Sequence, residues 1–170
     1  GSPLIGALLT GLLLLLATVA GALYVIEPLE LAGTTARLGV LVLTTGAVML
    51  GVTTGLWYWA TKVVGRPLAE GIGRTLPLVL FVGALVSGAA YVVAGFLDEV
   101  DSISVVVADA PDGVEALNVV ATIGTGILLI GAVGIAIGML GRRDDDVPSD
   151  PWGGHTLEWA TASPPVRGNF

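Results

Sequence analysis

The chain has 170 residues, of which 54% are hydrophobic and 12% are charged, and its mean hydropathy is +0.90. A soluble domain usually carries about 25% charged residues, so this composition excludes an ordinary soluble domain. The net charge of −7 does not favour nucleic acid as a partner, and the absence of cysteine excludes disulfides and thiolate metal sites. The acidic balance is compatible with a halophilic source, and equally with ordinary solvated loops.

Four apolar runs explain this composition, and each is long enough to cross about 30 Å of hydrocarbon as a helix. None of them contains Asp, Glu, Lys, Arg or His. They predict an all-α integral membrane protein with a four-helix transmembrane domain at residues 1–141 and an irregular cytoplasmic tail at residues 142–170. The predicted spans are residues 3–26, 38–61, 76–97 and 117–141.

The basic residues predict how the chain is oriented. With four spans, the N-terminus, the second connection and the tail lie on one side, and the opposite side carries Arg37 as its single basic residue. Because cytoplasmic loops are enriched in Lys and Arg, both termini are predicted to be cytoplasmic in a multi-pass protein of the cell membrane. The basic residues on the predicted cytoplasmic side are Lys62, Arg66, Arg74, Arg142, Arg143 and Arg167.

Two features mark the ends of the predicted spans. Trp57, Tyr58 and Trp59 stand together at the end of the second span, and amphipathic rings favour the headgroup level of a bilayer. They predict an aromatic belt rather than a ligand site. Pro77 is expected in the first turn of the third helix, where a missing N–H costs little.

Glycines inside the spans predict close helix packing. Small residues four positions apart let helix backbones approach in lipid, where apolar burial does not drive association. These glycines indicate a tightly packed bundle or a contact with another subunit, and the pattern does not distinguish the two. The candidate packing residues are Gly51, Gly55, Gly131, Gly134 and Gly138.

The C-terminal residues carry the most specific motif, which reads DPWGGHTLEWATASPP at 150–165 and ends in Asn169 and Phe170. It resembles the cytoplasmic tail of haem-copper oxidase subunit I. The resemblance extends upstream: residues 117–124 are similar to the start of the last helix in that family, and residues 46–66 to its tenth helix and the turn after it. The chain therefore resembles the last four of the family's twelve helices. The motif residues expected to dock the tail are Asp150, Pro151, Trp152, Gly153, Gly154, Leu157, Glu158 and Trp159.

The chain departs from the family where haem would be held. The tenth helix of the family carries a His-x-His pair that ligates two haems, and the matching positions here are Leu38 and Val40, which cannot bind iron. The loop at residues 31–35 lacks the family's His-Asp pair, and residues 98–116 lack its paired arginines. The single histidine, His155, lies in the tail. No cofactor, metal or catalytic residue is therefore expected in this chain, and haem and copper are expected in partner subunits.

Three functional hypotheses remain open. The first is a non-catalytic membrane subunit, or separately encoded C-terminal piece, of a terminal oxidase, with the bilayer and other oxidase subunits as its partners. The second is a fragment of a longer subunit I, although the His-x-His pair should then have survived. The third is a stand-alone four-helix scaffold or small transporter derived from subunit I, and the apolar spans weigh against ion transport.

Overall fold

The computed structural model describes residues 2–65, 70–98, 100–101, 113–140, 148–164 and 166. Its long helices are α1 (Ser2–Tyr24), α2 (Ala36–Val64), α3 (Glu70–Phe96) and α4 (Val114–Met139). All four are long and apolar enough to cross a membrane. This confirms the predicted all-α fold with four transmembrane helices. The predicted boundary between membrane domain and tail, at residues 141 and 142, lies outside the described residues.

Helix α3 occupies the centre of the bundle. Of its apolar stretch 44% is buried, against 22–28% for the other three helices. It packs most extensively on α4, then on α2, and more lightly on α1, while α4 has only a small contact with α2. One side of α4 therefore stays uncovered by this chain, and it presents large apolar side chains. Its exposed large residues include Ile123, Leu129, Ile130, Val133 and Ile137.

The core of the bundle alternates large and small side chains. Leu13 of α1, Leu50 of α2 and Leu80 of α3 are completely buried. Small residues at neighbouring core positions leave the space into which these leucines pack. The buried small core residues are Ala17, Ala20, Ala47 and Ala84.

A short backbone pairing joins the connections at the end of the bundle away from the tail. Thr34 and Val100 form an isolated antiparallel bridge, and the amide of Asp101 donates to the carbonyl of Gly33 at 2.9 Å. The Asp101 carboxylate also accepts from Arg37, with Nη2 and Oδ2 2.8 Å apart. These contacts hold the start of α2 against the end of α3.

The prediction for Pro77 was wrong. Helix α3 begins at Glu70, so Pro77 lies in its interior rather than in its first turn. The apolar run alone could not show this start, because residues 70–75 include Glu70 and Arg74, which extend the helix beyond its apolar part. Since proline has no N–H, the carbonyl of Gly73 lacks its usual donor four residues later.

Candidate functional site

Two tryptophans of the tail bond to one tyrosine of helix α2. The indole Nε1 of Trp152 donates to the backbone carbonyl of Tyr58 at 3.2 Å, and that of Trp159 donates to the Tyr58 hydroxyl at 2.9 Å. The Tyr58 ring stacks on Trp152 and meets Trp159 edge to face, with centroids 6.4 and 5.1 Å apart. Trp159 is only 2% exposed. We call this arrangement, with Lys62 described next, the tail dock.

Lys62 closes the tail dock from the last turn of α2. Its ammonium donates to the carbonyl of Thr161 at 2.5 Å and to that of Ser149 at 3.5 Å, and it lies 5.5 Å from the centre of the Trp159 ring. Its side chain is 4% exposed. Carbonyl dipoles and an aromatic face compensate a buried cation, and the C-terminus of α2 favours positive charge. Lys62 therefore ties both ends of the docked segment to α2.

A turn built by Asp150 brings the two tail tryptophans to the same place. Its Oδ1 accepts from the amides of Trp152, at 3.3 Å, and Gly154, at 2.8 Å. Gly153 has φ +68°, a conformation that favours glycine. A side chain at Gly154 would collide with the Trp159 ring, because its Cβ would lie 2.9 Å from Cγ. Both glycines of the motif are thus required by geometry.

The carboxylate of Glu158 is stabilised locally. A hydrogen bond from the Thr156 side chain, followed by a backbone hydrogen bond, lowers its pKa below the ordinary value of 4.5. The positive charge of Lys62 adds a smaller contribution in the same direction. Glu158 opens the short 3-10 helix Leu157–Ala160 that carries Trp159, and its carbonyl accepts from the Thr161 hydroxyl at 3.0 Å.

The predicted aromatic belt was wrong for two of its three members. Trp57 is 4% exposed and packs inside the bundle, and Tyr58 holds the tail. Trp59 is 42% exposed and stacks on Trp159 with centroids 6.0 Å apart. Local sequence shows that these rings stand at a helix end. It does not show that a segment about a hundred residues later returns to cover them.

The motif residues divide into those that face α2 and those that face outwards. Trp152 and Trp159 contact the chain's own helix, with Asp150, Gly153 and Gly154 shaping the turn. Pro151 is partly buried, and Leu157 is 88% exposed. The sequence placed Tyr58 in a predicted aromatic belt and Lys62 among the predicted cytoplasmic basic residues, but it predicted no contact with the tail for either residue. For Lys62 the sequence carries one signal: this residue is the only lysine, and it directly follows an uncharged span.

The candidate packing glycines have different surroundings. A Cβ on Gly131 would lie 2.7 Å from the backbone nitrogen of Leu80, so α3 and α4 approach closely there. One on Gly134 would lie 2.8 Å from the Leu76 side chain, and one on Gly51 would lie 3.3 Å from Thr10. Gly138 meets its neighbours at 3.6 Å. A Cβ on Gly55 would meet no described residue within 4 Å, so close packing at that position would involve atoms outside the described part of the bundle.

Leu38 and Val40, which the resemblance matches to the family's haem ligands, are apolar residues. Val40 packs against the core, 3.7 Å from the Cβ position of Gly21, and Leu38 is partly buried. Over the part of the chain that the structure describes, no three His, Cys, Asp or Glu side chains come together to hold a metal ion. His155 is exposed in the tail.

The chain is similar in sequence to known subunits of cytochrome c oxidase. It is 28% identical over 128 residues to cytochrome c oxidase subunit 1 of Alkalihalophilus pseudofirmus, covering 74% of this chain and 20% of the relative. It is 33% identical over 129 residues to the same subunit of a Bacillus species, again covering 74% and 20%. A probable subunit 1-beta of Nocardia farcinica is 34% identical over 131 residues, covering 74% and 22%. Over most of its length, this chain is similar to haem-copper oxidase subunit I and resembles its C-terminal part.

The subunit I-like part spans about a fifth of the length of these curated relatives. No family model matches it. Its four apolar helices and its relatives together make it a multi-pass membrane protein related to haem-copper oxidases. The resemblance stated from the tail motif is thereby confirmed over most of the chain.

Proposed function

We propose that this chain is a non-catalytic membrane subunit, or separately encoded C-terminal piece, of a haem-copper terminal oxidase. It acts in the assembly and stability of a complex of aerobic respiratory electron transport. The bilayer and other oxidase subunits are its partners, and those subunits hold the haem and copper.

One observation carries this proposal: the chain is similar to subunit I over 74% of its length, and the two positions that the resemblance matches to haem ligands hold apolar side chains. Haem iron needs a ligand such as His, Met, Cys or Tyr. Leu38 and Val40 supply none of these. The chain therefore has four helices similar to those of subunit I but no iron ligand at these two positions. This combination supports a structural role.

Surfaces left open by this chain support a partner within the membrane. Helix α4 exposes apolar side chains opposite α3, and Gly55 of α2 has open space beside it. In lipid, close approach at small residues is a principal means of helix association. A helix of another subunit would pack at Gly55 more closely than lipid does.

We also propose that the membrane is the cell membrane and that both termini are cytoplasmic. The end of the bundle that carries Lys62 also carries the tail, while Arg37 at the other end is paired with Asp101. The distribution of basic residues along the sequence supports this orientation.

Purification from native membranes tests the proposed subunit. The chain should co-purify with haem-containing subunits, and the complex should show a haem absorption spectrum. A pure, stable and colourless chain without oxidase subunits would contradict the proposal and favour a stand-alone scaffold. Deletion of the gene should lower oxygen consumption, and unchanged consumption would count against the proposal in the same way.

A matched pair of glycine variants tests the partner surface. Gly55→Leu should reduce the amount of co-purifying oxidase subunit, because the added side chain blocks a close helix approach. The variant should keep the thermal stability of the isolated chain, since no described residue lies within 4 Å of a Cβ at this position. Gly11→Leu, on an equally open face of α1, is the control. Full co-purification of Gly55→Leu would refute the assignment of this surface.

A further inference from the structure

A small cavity lies among the four helices near the end that carries the tail. Residues from every helix line it, including Ser2 of α1, Trp57 of α2, Pro77 of α3 and Ile135 of α4. It has room for about one water molecule. The cavity is separate from the tail dock, whose tyrosine and lysine are not among its lining residues.

Three polar atoms of the residues around this cavity are buried without a hydrogen-bond partner among the described residues. They are the hydroxyl oxygens of Ser2 and Thr54 and the indole Nε1 of Trp57. Ser2 is 2% exposed and Trp57 4%. A buried polar group without a partner costs about 1–3 kcal/mol, so three of them around one space indicate a shared partner. The fourth such atom, the hydroxyl of Thr61, belongs to a residue outside the lining set.

Thr54 differs from most of the threonines in these helices. A helical threonine can satisfy its hydroxyl by donating to the carbonyl four residues earlier, and Thr53, next to Thr54, does so to Met49 at 2.7 Å. Thr54 makes no such bond among the described residues. Its hydroxyl is therefore free to bond within the cavity. The threonines that bond to their own helix are Thr10, Thr18, Thr44, Thr53, Thr75, Thr122 and Thr125.

Helix α3 contributes two features to the same space. Pro77 leaves the carbonyl of Gly73 without its usual helical donor, and both residues line the cavity. A Cβ on Gly73 would lie 2.7 Å from Trp57 Nε1, so glycine lets the indole nitrogen reach this side of α3. The cavity thus combines an indole donor, two hydroxyls and an under-used carbonyl.

We propose that this cavity is a binding site for one structural water molecule. The water accepts a hydrogen bond from Trp57 Nε1 and bonds to the hydroxyls of Ser2 and Thr54. Three polar partners match the usual coordination of a buried water. Such a molecule would connect α1 and α2 at a depth where the described side chains of the bundle offer these atoms no other partner.

Two threonine variants test the water site in the full chain, reconstituted in lipid nanodiscs with any subunit that co-purifies with it. Thr54→Val keeps the shape of the side chain and removes one bond to the water, so the apparent Tm should fall by about 2–4 °C. Thr10→Val is the control, because its hydroxyl bonds to its own helix and the residue does not line the cavity, and its Tm should change less. If the cavity were dry, Thr54→Val would remove an unpartnered hydroxyl, and an unchanged or higher Tm would overturn the proposal.

A structure determined at a resolution that shows ordered water gives the second, independent test. Density within hydrogen-bond distance of Trp57 Nε1 and at least one of the two hydroxyls would support the site. A map that shows waters around the tail dock but none in the cavity would overturn it. Neither result depends on whether the chain associates with an oxidase.

Discussion

Tyr58 contributes two acceptors to the tail through different atoms. Its backbone carbonyl accepts from Trp152, and its hydroxyl accepts from Trp159. Replacement of Tyr58 by phenylalanine removes the hydroxyl and keeps the ring, so the effects of stacking and of hydrogen bonding can be measured separately at this residue. Lys62 bonds beyond both tryptophans, at Ser149 and Thr161. The dock is therefore held by a small number of side chains on two turns of α2.

Tyr58→Phe should loosen the tail without changing the helices. It leaves the buried indole N–H of Trp159 without an acceptor, at a cost of about 1–3 kcal/mol, equivalent to roughly 5- to 150-fold more undocked tail. Hydrogen exchange of the amides at residues 148–164 measures this. Tyr24→Phe, at the end of α1 away from the tail, is the control and should leave exchange there unchanged. Unaltered exchange in Tyr58→Phe would show that the hydroxyl does not hold the tail.

Acidification should weaken the region around Glu158. Its folded pKa lies below the ordinary value of 4.5, so the carboxylate's contribution is complete above that value and is lost as pH falls through the folded pKa. Tail exchange, corrected for the intrinsic effect of pH, should therefore rise below about pH 4.5. Glu158→Gln should reduce this pH dependence. An equally steep dependence in the variant would assign it to another group.

At the scale of the helices, the hydrophobicity of the sequence predicted the number of transmembrane helices and their approximate positions. A helix crossing hydrocarbon must be long and apolar, so four uncharged runs sufficed to find α1 to α4. The interior position of Pro77 was missed because the first turns of α3 contain charged residues. A search for uncharged runs leaves such residues out, although a helix can include them where it extends beyond the hydrocarbon. Hydropathy therefore locates the middle of a transmembrane helix better than its ends.

The tail dock could not be predicted from the same patterns. The motif predicted that the tail docks, but the partner surface on α2 depends on contacts between residues 94 to 101 positions apart. Trp57, Tyr58 and Trp59 are consecutive, yet they face the bundle interior, the tail and the stacked surface of Trp159 respectively. All three residues are aromatic and stand at the same helix end, so the local sequence does not distinguish their environments. The packing of the helices buries Trp57, and the path of the chain after α4 brings the tail to Tyr58 and Trp59.

The candidate packing glycines also differ in their surroundings, although the sequence pattern treats them alike. This difference gives a prediction for the contact between α3 and α4. Gly131→Ala should destabilise the chain by about 1–3 kcal/mol, because its Cβ would press on the backbone of Leu80 rather than on a flexible side chain. Gly126→Ala, on the same helix and with no described residue within 4 Å of its Cβ, is the control. It should be neutral or stabilising by up to about 1 kcal/mol through helix propensity. Unfolding in nanodiscs measures both, and equal stability of the two variants would contradict close packing at Gly131.

For the whole molecule, the described charges lie at the two ends of an apolar bundle, and the tail covers one of these ends. The Thr34–Val100 bridge and the Arg37–Asp101 pair join the loops at one end, and the tail dock covers the other. Between them, α4 and parts of α1 and α2 remain open towards lipid or another subunit. The bundle is thus tied together at its two ends, while its sides remain available for association.

The proposed orientation gives a prediction that uses the lack of natural cysteine. Leu157→Cys, at an 88% exposed tail position, should react with a membrane-impermeant maleimide only after the cells are opened. Leu29→Cys, at the opposite end and 37% exposed, should react in intact cells. The two variants serve as controls for each other, and the reverse pattern of labelling would place the termini outside.

The long sequence separation of the tail dock has a consequence for biosynthesis. Tyr58 and Lys62 leave the ribosome almost a hundred residues before the segment that covers them. During that interval two further helices are inserted, and the Lys62 ammonium lacks the carbonyls of Ser149 and Thr161. Closure of this end of the bundle is therefore a late, post-insertion event. A ribosome that stalls after α4 would release a protein with its four helices in place and an open, cationic end that a membrane quality-control protease could recognise.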